Sequence, residues 1–241
     1  MKGVITAGGL GTRLRPLTLA TNKHLLPIFD QPMVFYPIQT LVKAGITEVM
    51  VITGGPHAGD FIRVLKNGEE LGLKHLEYAY QENEGGIAAA LALAEDFADG
   101  SPIAVVLGDN TTDADISPFV SEFSHGAMIF LKKVPDPERY GVPTFAKDGQ
   151  TIISIEEKPK KAKSPYAQTG LYLYDGQVFD VIRKLEPSAR GELEITDVNN
   201  AYIQKGELQW RELEGYWTDA GKFETLFAAN AYWAKKKGIV A

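Results

Sequence analysis

Lys2-Gly3-Val4-Ile5-Thr6-Ala7-Gly8-Gly9-Leu10-Gly11-Thr12-Arg13-Leu14 is the stretch on which the fold turns. Gly3 to Thr6 reads as a buried strand, and Ala7 to Pro16 as the loop that follows it. Glycines placed directly after a buried strand let backbone N–H groups approach a chain of phosphates, and Arg13 adds a charged, forked donor. The spacing is not G-x-G-x-x-G, because Leu14 stands where the third glycine belongs, and it is not G-x-x-x-x-G-K-[ST] either. Pro16 and Thr18 also oppose a helix starting at once, which both of those motifs require. A dinucleotide oxidoreductase is disfavoured on that ground.

Outward from this loop the chain alternates in the βα manner. Pro32 suits the first turn of a helix carrying Ile38, Leu41 and Val42, closed by Gly45. Glu48 to Thr53 is a continuous apolar strand, as expected where both sheet faces are covered. A helix around Asp60 to Lys66, a strand at Leu76 to Tyr80, a helix over Ile87 to Phe97 and a strand at Ile103 to Leu107 follow. Such repeats are the mark of an α/β fold with a Rossmann-like, doubly wound, mostly parallel sheet. The second half predicts strands at Ala127 to Val134, Val142 to Phe145, Ile152 to Glu156 and Thr169 to Tyr174, with a hairpin turn at Asp148-Gly149. Helices are predicted at Val178 to Lys184, Ile195 to Lys205 and Phe223 to Lys236. No repeat or linker divides the chain, so residues 1–241 are expected to form one domain. About 1–125 would be its first part and about 126–241 its second.

Composition removes several classes. There are no cysteines, which excludes disulfides and thiolate chemistry, and none of the four histidines has a partner at metal-ligand spacing. A net charge of -6 gives no reason to expect nucleic acid or a membrane as partner. The opening residues show neither a signal-peptide core nor a spanning helix, so a cytoplasmic location is expected. Yet no acidic residue precedes Asp30, whereas Lys2, Arg13, Arg15 and Lys23 all do. A basic, glycine-rich opening in an acidic protein fits a multiply charged anion.

Four further segments carry chemistry. Lys23 lies in Asn22-Lys23-His24-Leu25-Leu26-Pro27, and alone it would read as a surface lysine beside a structural His24. Asp109 ends the strand Val105-Val106-Leu107-Gly108-Asp109-Asn110. There a carboxylate faces the crevice of an open sheet and suits Mg²⁺ carried by substrate phosphates. Glu157 and Lys158 close another strand, offering an acceptor for sugar hydroxyls and a cation for a phosphate. Asp219, in Tyr216-Trp217-Thr218-Asp219-Ala220-Gly221, supplies a distant second carboxylate. No G-x-S-x-G elbow is present, and a glycosidase pair at Glu192 and Glu194 would leave the phosphate features unexplained.

Taken in order, these segments resemble the sugar-1-phosphate nucleotidyltransferases, and among them the glucose-1-phosphate thymidylyltransferases. The resemblance runs from Lys2 to about Trp233 and includes Ala7 to Leu14, Lys23 to Pro27, Gly108 to Asn110, Asp136 to Val142 and Glu156 to Pro159. Ser188-Ala189-Arg190-Gly191-Glu192-Leu193-Glu194-Ile195-Thr196-Asp197 is its most specific part. It implies a nucleotide-binding core with an inserted small sugar-binding sheet, and transfer of a nucleoside monophosphate from dTTP to glucose 1-phosphate with Mg²⁺ as cofactor. Gly8, Gly9, Gly11, Thr12 and Arg13 would then hold the triphosphate, and Gln81 and Gly86 the base. Asp109 and Asp219 would bind the metal. Asn110, Gly141, Glu157, Lys158, Gln168 and Thr169 would hold the sugar phosphate, with Arg13, Lys23 and Lys158 the catalytic cations.

Ala89, Thr111-Thr112, Thr144 and Gln168 depart from the family pattern, and all are expected around the base and sugar pockets; Gln168 stands where valine is usual. The helical C-terminal extension of longer members is not expected, nor the regulatory site and tetramer contacts that go with it, although a homo-oligomer is compatible with the rest. Two readings stay open beside this one. The first is the same reaction on UTP or another sugar 1-phosphate. The second is a sugar-nucleotide sensor without turnover.

Overall fold

The structure, a computed structural model, describes residues 1–239. Its centre is a seven-stranded sheet of β1 (Lys2–Ala7), β2 (Glu48–Gly54), β3 (His75–Gln81), β4 (Ile103–Leu107), β5 (Ala127–Lys133), β8 (Tyr166–Tyr174) and β9 (Leu208–Glu212). A two-stranded ribbon, β6 (Gly141–Phe145) paired antiparallel with β7 (Ile152–Glu157), is inserted between β5 and β8. The strand order is β9-β5-β8-β4-β1-β2-β3, and only β8 opposes the common direction. The sheet therefore runs unbroken through both halves of the sequence, as the doubly wound reading expects.

Alternation along each strand builds a core on both faces. Val4, Met50, Ile52, Val105, Tyr172 and Tyr174 point to one side, beneath α3 (Ile87–Ala92), α6 (Val178–Ile182) and α7 (Ile195–Lys205). Ile5, Val49, Val51, Val106, Leu171 and Leu173 point to the other, beneath α1 (Phe35–Lys43), α2 (Ala58–Leu65) and α5 (Ser117–Glu122). A third cluster joins Leu14, Leu26, Ile28, Met33 and Tyr36 to Leu226, Ala229 and Trp233 of α8 (Phe223–Lys236). It ties the segment after the glycine loop to the C-terminal helix. Among the described residues no helix is long and apolar enough to cross a membrane.

Three elements differ from the sequence reading. Pro32 is not in the first helical turn; it pairs with Pro27 in a short ribbon, and α1 begins at Phe35 after Val34. The stretch Ile87 to Phe97 is two helices, α3 and α4 (Glu95–Ala98), because the chain tightens at Leu93 and Ala94, whose N–H groups bond three residues back. β9 was not foreseen: Leu208–Glu212 is a short run, apolar only at Leu208 and Trp210, and it pairs parallel with β5 at the sheet edge.

Candidate active site

β1 and β4 lie side by side and parallel, but the chain leaves β1 toward β2 on its other flank. That makes the gap beyond their carboxyl ends a switch point, where open α/β sheets bind ligands. A cavity of about 360 Å³ opens there. Gly8, Gly9, Arg13 and Lys23 line one wall, Gln81 and Gly86 a second, and Asp109, Asn110 and Asp219 the floor. Gly141, Glu157, Lys158 and Gln168 line the far end.

The two carboxylates meet because of a small ribbon. Asn110–Thr112 pairs antiparallel with Trp217–Asp219, in a register that sets Asp219 opposite Asn110. The Ala220 N–H donates to the Asp109 carbonyl at 2.8 Å. Asp109 is held from both sides: Asn110 Nδ2 donates to its Oδ1 at 2.9 Å, and Lys23 Nζ donates to its Oδ2 at 2.6 Å. Asn110 is pinned in turn, since its Oδ1 accepts from Gly170 N at 2.9 Å and from Trp217 Nε1 at 2.7 Å. A Cβ on Gly170 would lie 2.7 Å from Asn110 Nδ2, so glycine is required for this approach.

The pair is electrostatically divided. Burial works to raise Asp109, but the Lys23 ammonium and the hydrogen bonds outweigh it and hold the carboxyl well below the usual range. Burial, reinforced by the charge of Asp109, pushes Asp219 up to about 6 against the pull of Arg139, Arg13 and Lys23. Its Oδ1 is buried without a hydrogen-bond partner, and the nearest cation, Arg139 Nη2, stands off at 3.6 Å. Two carboxylates, one with an orphaned oxygen, suit a hard divalent cation that keeps most of its ligands from water and substrate phosphates, as Mg²⁺ does. Among the described residues no cluster of three or more His, Cys, Asp or Glu side chains forms a full protein cage.

Lys23 owes its place to packing. Asn22 caps the short turn Lys23–Leu25, its Oδ1 accepting from His24 N at 3.0 Å and from His24 Nδ1 at 2.8 Å. Burial, and then the charge of Lys23, lowers His24 to about 3, so it stays neutral and structural. Gly11, in the left-handed region at φ 64, is the residue that lets the lysine stem pass: a Cβ there would lie 2.8 Å from Lys23 Cβ. Similarly, a Cβ on Gly8 would lie 2.5 Å from Gln81 Oε1. Gln81 Nε2 donates to the Gly86 carbonyl at 3.3 Å, bridging the glycine loop and the Glu84–Gly86 loop. Gly86 in turn presses against Leu193, whose carbonyl would lie 2.5 Å from an added Cβ.

Not every expected residue reaches the cavity. Gly11 and Thr12 do not line it: the first is spent on clearing Lys23, and the second sits exposed on the outer turn. Thr169 is fully buried on the opposite face of β8, its hydroxyl donating to the Phe130 carbonyl at 2.8 Å. Asn110 lines the floor, but its amide is committed to holding Asp109. Of the five residues that depart from the family pattern, Ala89, Thr111, Thr112 and Thr144 stand clear of the cavity and Gln168 lines it. Thr111 instead accepts from Trp233 Nε1 at 2.6 Å, and Thr112 donates to the Tyr216 carbonyl at 2.6 Å.

Two cations were missed. Arg139 lies in Asp136-Pro137-Glu138-Arg139-Tyr140-Gly141, where Gly141 alone had been singled out; its Nη1 donates to Asp136 Oδ2 at 2.6 Å. Arg190 reaches the far end from the Ser188–Asp197 stretch, donating to Glu194 Oε1 and Oε2 at 2.8 Å and standing 3.7 Å from Glu157. The strong family likeness of both segments was the available signal. Lys158 pairs with Glu157 at 3.2 Å and holds a left-handed φ of 45. Non-glycine residues seldom adopt that conformation, and where they do it often marks a functional turn.

The sequence profile of the nucleotidyl transferase family matches residues 2–236. The chain belongs to the nucleotidyl transferase family. It is 45% identical to a glucose-1-phosphate thymidylyltransferase of Actinoplanes sp. over 237 residues, covering 96% of this chain and 78% of that protein. A crystal structure of a Bacillus anthracis protein assigned as a glucose-1-phosphate thymidylyltransferase, in complex with sucrose, superposes with a TM-score of 0.91 at 50% identity, covering 96% of this chain and 94% of that one. A UDP-glucose pyrophosphorylase complexed with UDP-glucose superposes with a TM-score of 0.85 over 98% of each chain. At 23% identity that likeness concerns the fold alone.

Proposed function

We propose that this nucleotidyl transferase is a glucose-1-phosphate thymidylyltransferase, joining dTTP to glucose 1-phosphate and releasing pyrophosphate. The observation that carries the reading is the meeting, in one cleft, of the glycine loop, the Lys23–Asp109–Asp219 group and the Lys158–Arg190 end. Relatives with that name align over nearly the whole chain. A cytoplasmic place in nucleotide-sugar biosynthesis goes with it.

Backbone N–H groups of the Gly8–Gly9 turn and Arg13 hold the triphosphate over β1. Asp109 and Asp219 hold Mg²⁺, which, when bound, neutralises phosphate charge as it builds. Asn110 keeps Asp109 in position. Lys158 grips the sugar's phosphate and Glu157 accepts from its hydroxyls, so that the phosphate oxygen faces the α-phosphorus in line with the departing pyrophosphate. Positioning and charge supply the rate, with no covalent enzyme intermediate.

Gln81 faces the base. Its amide presents a donor and an acceptor, which matches the N–H and carbonyl edge of thymine or uracil. Turnover of dTTP and UTP is therefore expected, dTTP modestly ahead, with CTP poorer by roughly 10²-fold because its ring nitrogen accepts where thymine's donates, and GTP poorer because its larger ring and exocyclic amino group must also be placed. A grid of nucleoside triphosphates against sugar 1-phosphates, read by pyrophosphate release, tests both the reaction and the base. GTP as the best substrate, or an unchanged preference in Gln81→Ala, defeats the base assignment; no pyrophosphate from any pair defeats the reaction.

At the other end, Lys158→Ala is expected to raise the KM for glucose 1-phosphate by roughly 10-fold, the scale of one charge-assisted contact, and to leave the KM for dTTP in place. Equal loss of both would make Lys158 a structural residue of the β7 end.

A further inference from the structure

Gln168 is buried, with 5% of its surface exposed, yet it borders the cavity beside Gly141 and Glu157. Alternation along β8 places Gln168, Gly170, Tyr172 and Tyr174 on one face of the sheet, and Gln168 and Tyr172 both line the cleft. A buried primary amide at the edge of a ligand cavity raises the question of which end faces the ligand. A chain of hydrogen bonds behind it gives the answer.

The relay starts at Tyr174, which is fully buried. Its hydroxyl donates to Asn199 Oδ1 at 2.6 Å. With that oxygen taken, Asn199 turns its amide nitrogen outward and Nδ2 donates to Gln168 Oε1 at 2.9 Å. The carbonyl of Gln168 is thus consumed from behind, and its NH₂ faces the cavity. One proton of Nε2 lies toward Tyr172 Oη over a long 3.4 Å contact. Among the described residues the other has no acceptor. Reversing Gln168 alone would set its NH₂ against the NH₂ of Asn199, two donors face to face in a buried site, and reversing Asn199 with it would leave the proton of the fully buried Tyr174 hydroxyl without its acceptor, so the network favours this orientation.

We propose that Gln168, aimed by the Tyr174–Asn199 relay, is a specificity-determining residue for the sugar, its amide N–H donating to a hydroxyl oxygen of the hexose. This rests on the reading above that the Glu157–Lys158 end takes the sugar phosphate. The site then demands an oxygen acceptor at one ring position, because a sugar lacking it leaves a buried donor unpaired. A valine here, as is usual in the family pattern, makes no such demand. Tyr174 and Asn199 act as positioning residues that never touch the sugar.

The test is kcat/KM at saturating dTTP for glucose 1-phosphate and each of its monodeoxy analogues, in the unaltered enzyme and in Gln168→Val, Gln168→Met and Tyr174→Phe. Beside any penalty that reflects Glu157, the unaltered enzyme is expected to penalise the monodeoxy sugar lacking Gln168's acceptor by roughly 10-fold, the scale of one neutral hydrogen bond. In Gln168→Val that penalty shrinks to within about twofold, through the loss of glucose 1-phosphate efficiency, while the KM for dTTP holds. Gln168→Met, close in shape to glutamine, must show the same pattern and serves if the valine variant folds poorly. Tyr174→Phe alters no cavity-lining side chain and is expected to give an intermediate penalty for the same sugar. A purely structural effect lowers all sugars alike. An equal loss across the set, or an unchanged penalty in an active Gln168→Val, overturns the proposal. No turnover of any sugar by the unaltered enzyme overturns the functional reading and this inference together, and is told apart at once from a flat profile in a working enzyme.

Discussion

Asp109→Asn is expected to lower turnover by roughly 10²-fold or more, the largest effect of any single change in this cleft. The aspartate has two jobs that asparagine cannot do. Its Oδ2 meets the Lys23 ammonium at 2.6 Å in a largely enclosed setting, and an amide there leaves a buried cation uncompensated. As one of the two carboxylates proposed to hold Mg²⁺, it would also supply half of the protein's charge at the metal. Asp219→Asn bears more directly on the second job, because the Oδ1 of Asp219 has no hydrogen-bond partner to lose and its nearest cation, Arg139 Nη2, stands off at 3.6 Å. Both variants should show their loss most sharply at limiting Mg²⁺ and recover part of it as Mg²⁺ is raised. Rates across a Mg²⁺ titration, at fixed dTTP and glucose 1-phosphate, make the measurement. Near-normal activity of Asp219→Asn at limiting Mg²⁺ would remove that residue from the metal site.

The parallel half of the sheet was legible because β1, β2 and β4 are short apolar runs beside glycine-bearing turns. Val49 to Thr53 and Ile103 to Val106 are buried on both faces, and so read plainly. β9 carries only a short local signal, two apolar residues alternating at Leu208 and Trp210, and its existence as a strand depends on the free edge of β5. Pro32 misled for a related reason. A proline suits a first helical turn, but it equally suits a two-residue ribbon whose N–H is not needed, and tertiary packing of Met33 and Tyr36 under α8 decides between them.

The same division applies to the site. Residues at strand ends, such as Asp109 and Gln81, could be placed because strand direction alone puts them at the crevice. Gly11 and Thr169 could not: whether a glycine faces a phosphate or clears a lysine, and which face of β8 a threonine takes, depend on atoms far away in sequence. Arg139 and Arg190 have no local mark of function either. An arginine in a loop looks the same whether it is solvated or folded over a cleft, and nothing in either loop's sequence distinguishes the two.

Lys23→Ala is the second change expected to act strongly, lowering kcat by roughly 10²-fold while moving the KM for glucose 1-phosphate little. Lys23 is packed against the glycine loop, with Gly9 and Gly11 over its stem, so its ammonium has a short reach and a fixed field. Negative charge grows on the departing pyrophosphate as the bond to the α-phosphorus breaks. A cation placed beside the loop therefore interacts more strongly with the transition state than with bound triphosphate, and such an interaction appears in kcat. If Arg13 shares this role, it does so from a more exposed turn, so Arg13→Ala should lose less, by roughly 10-fold, because solvent screens it. The ion pair with Asp109 supplies an internal check. Removing Lys23 leaves the Asp109 carboxylate without its partner, so the variant should still bind Mg²⁺ while turning over slowly, which separates lost catalysis from lost metal. Steady-state kinetics in both substrates, with Mn²⁺ binding followed by electron spin resonance, distinguish the outcomes. A variant in which only the KM for dTTP rises would assign Lys23 to ground-state binding of the triphosphate and not to the transferring phosphates.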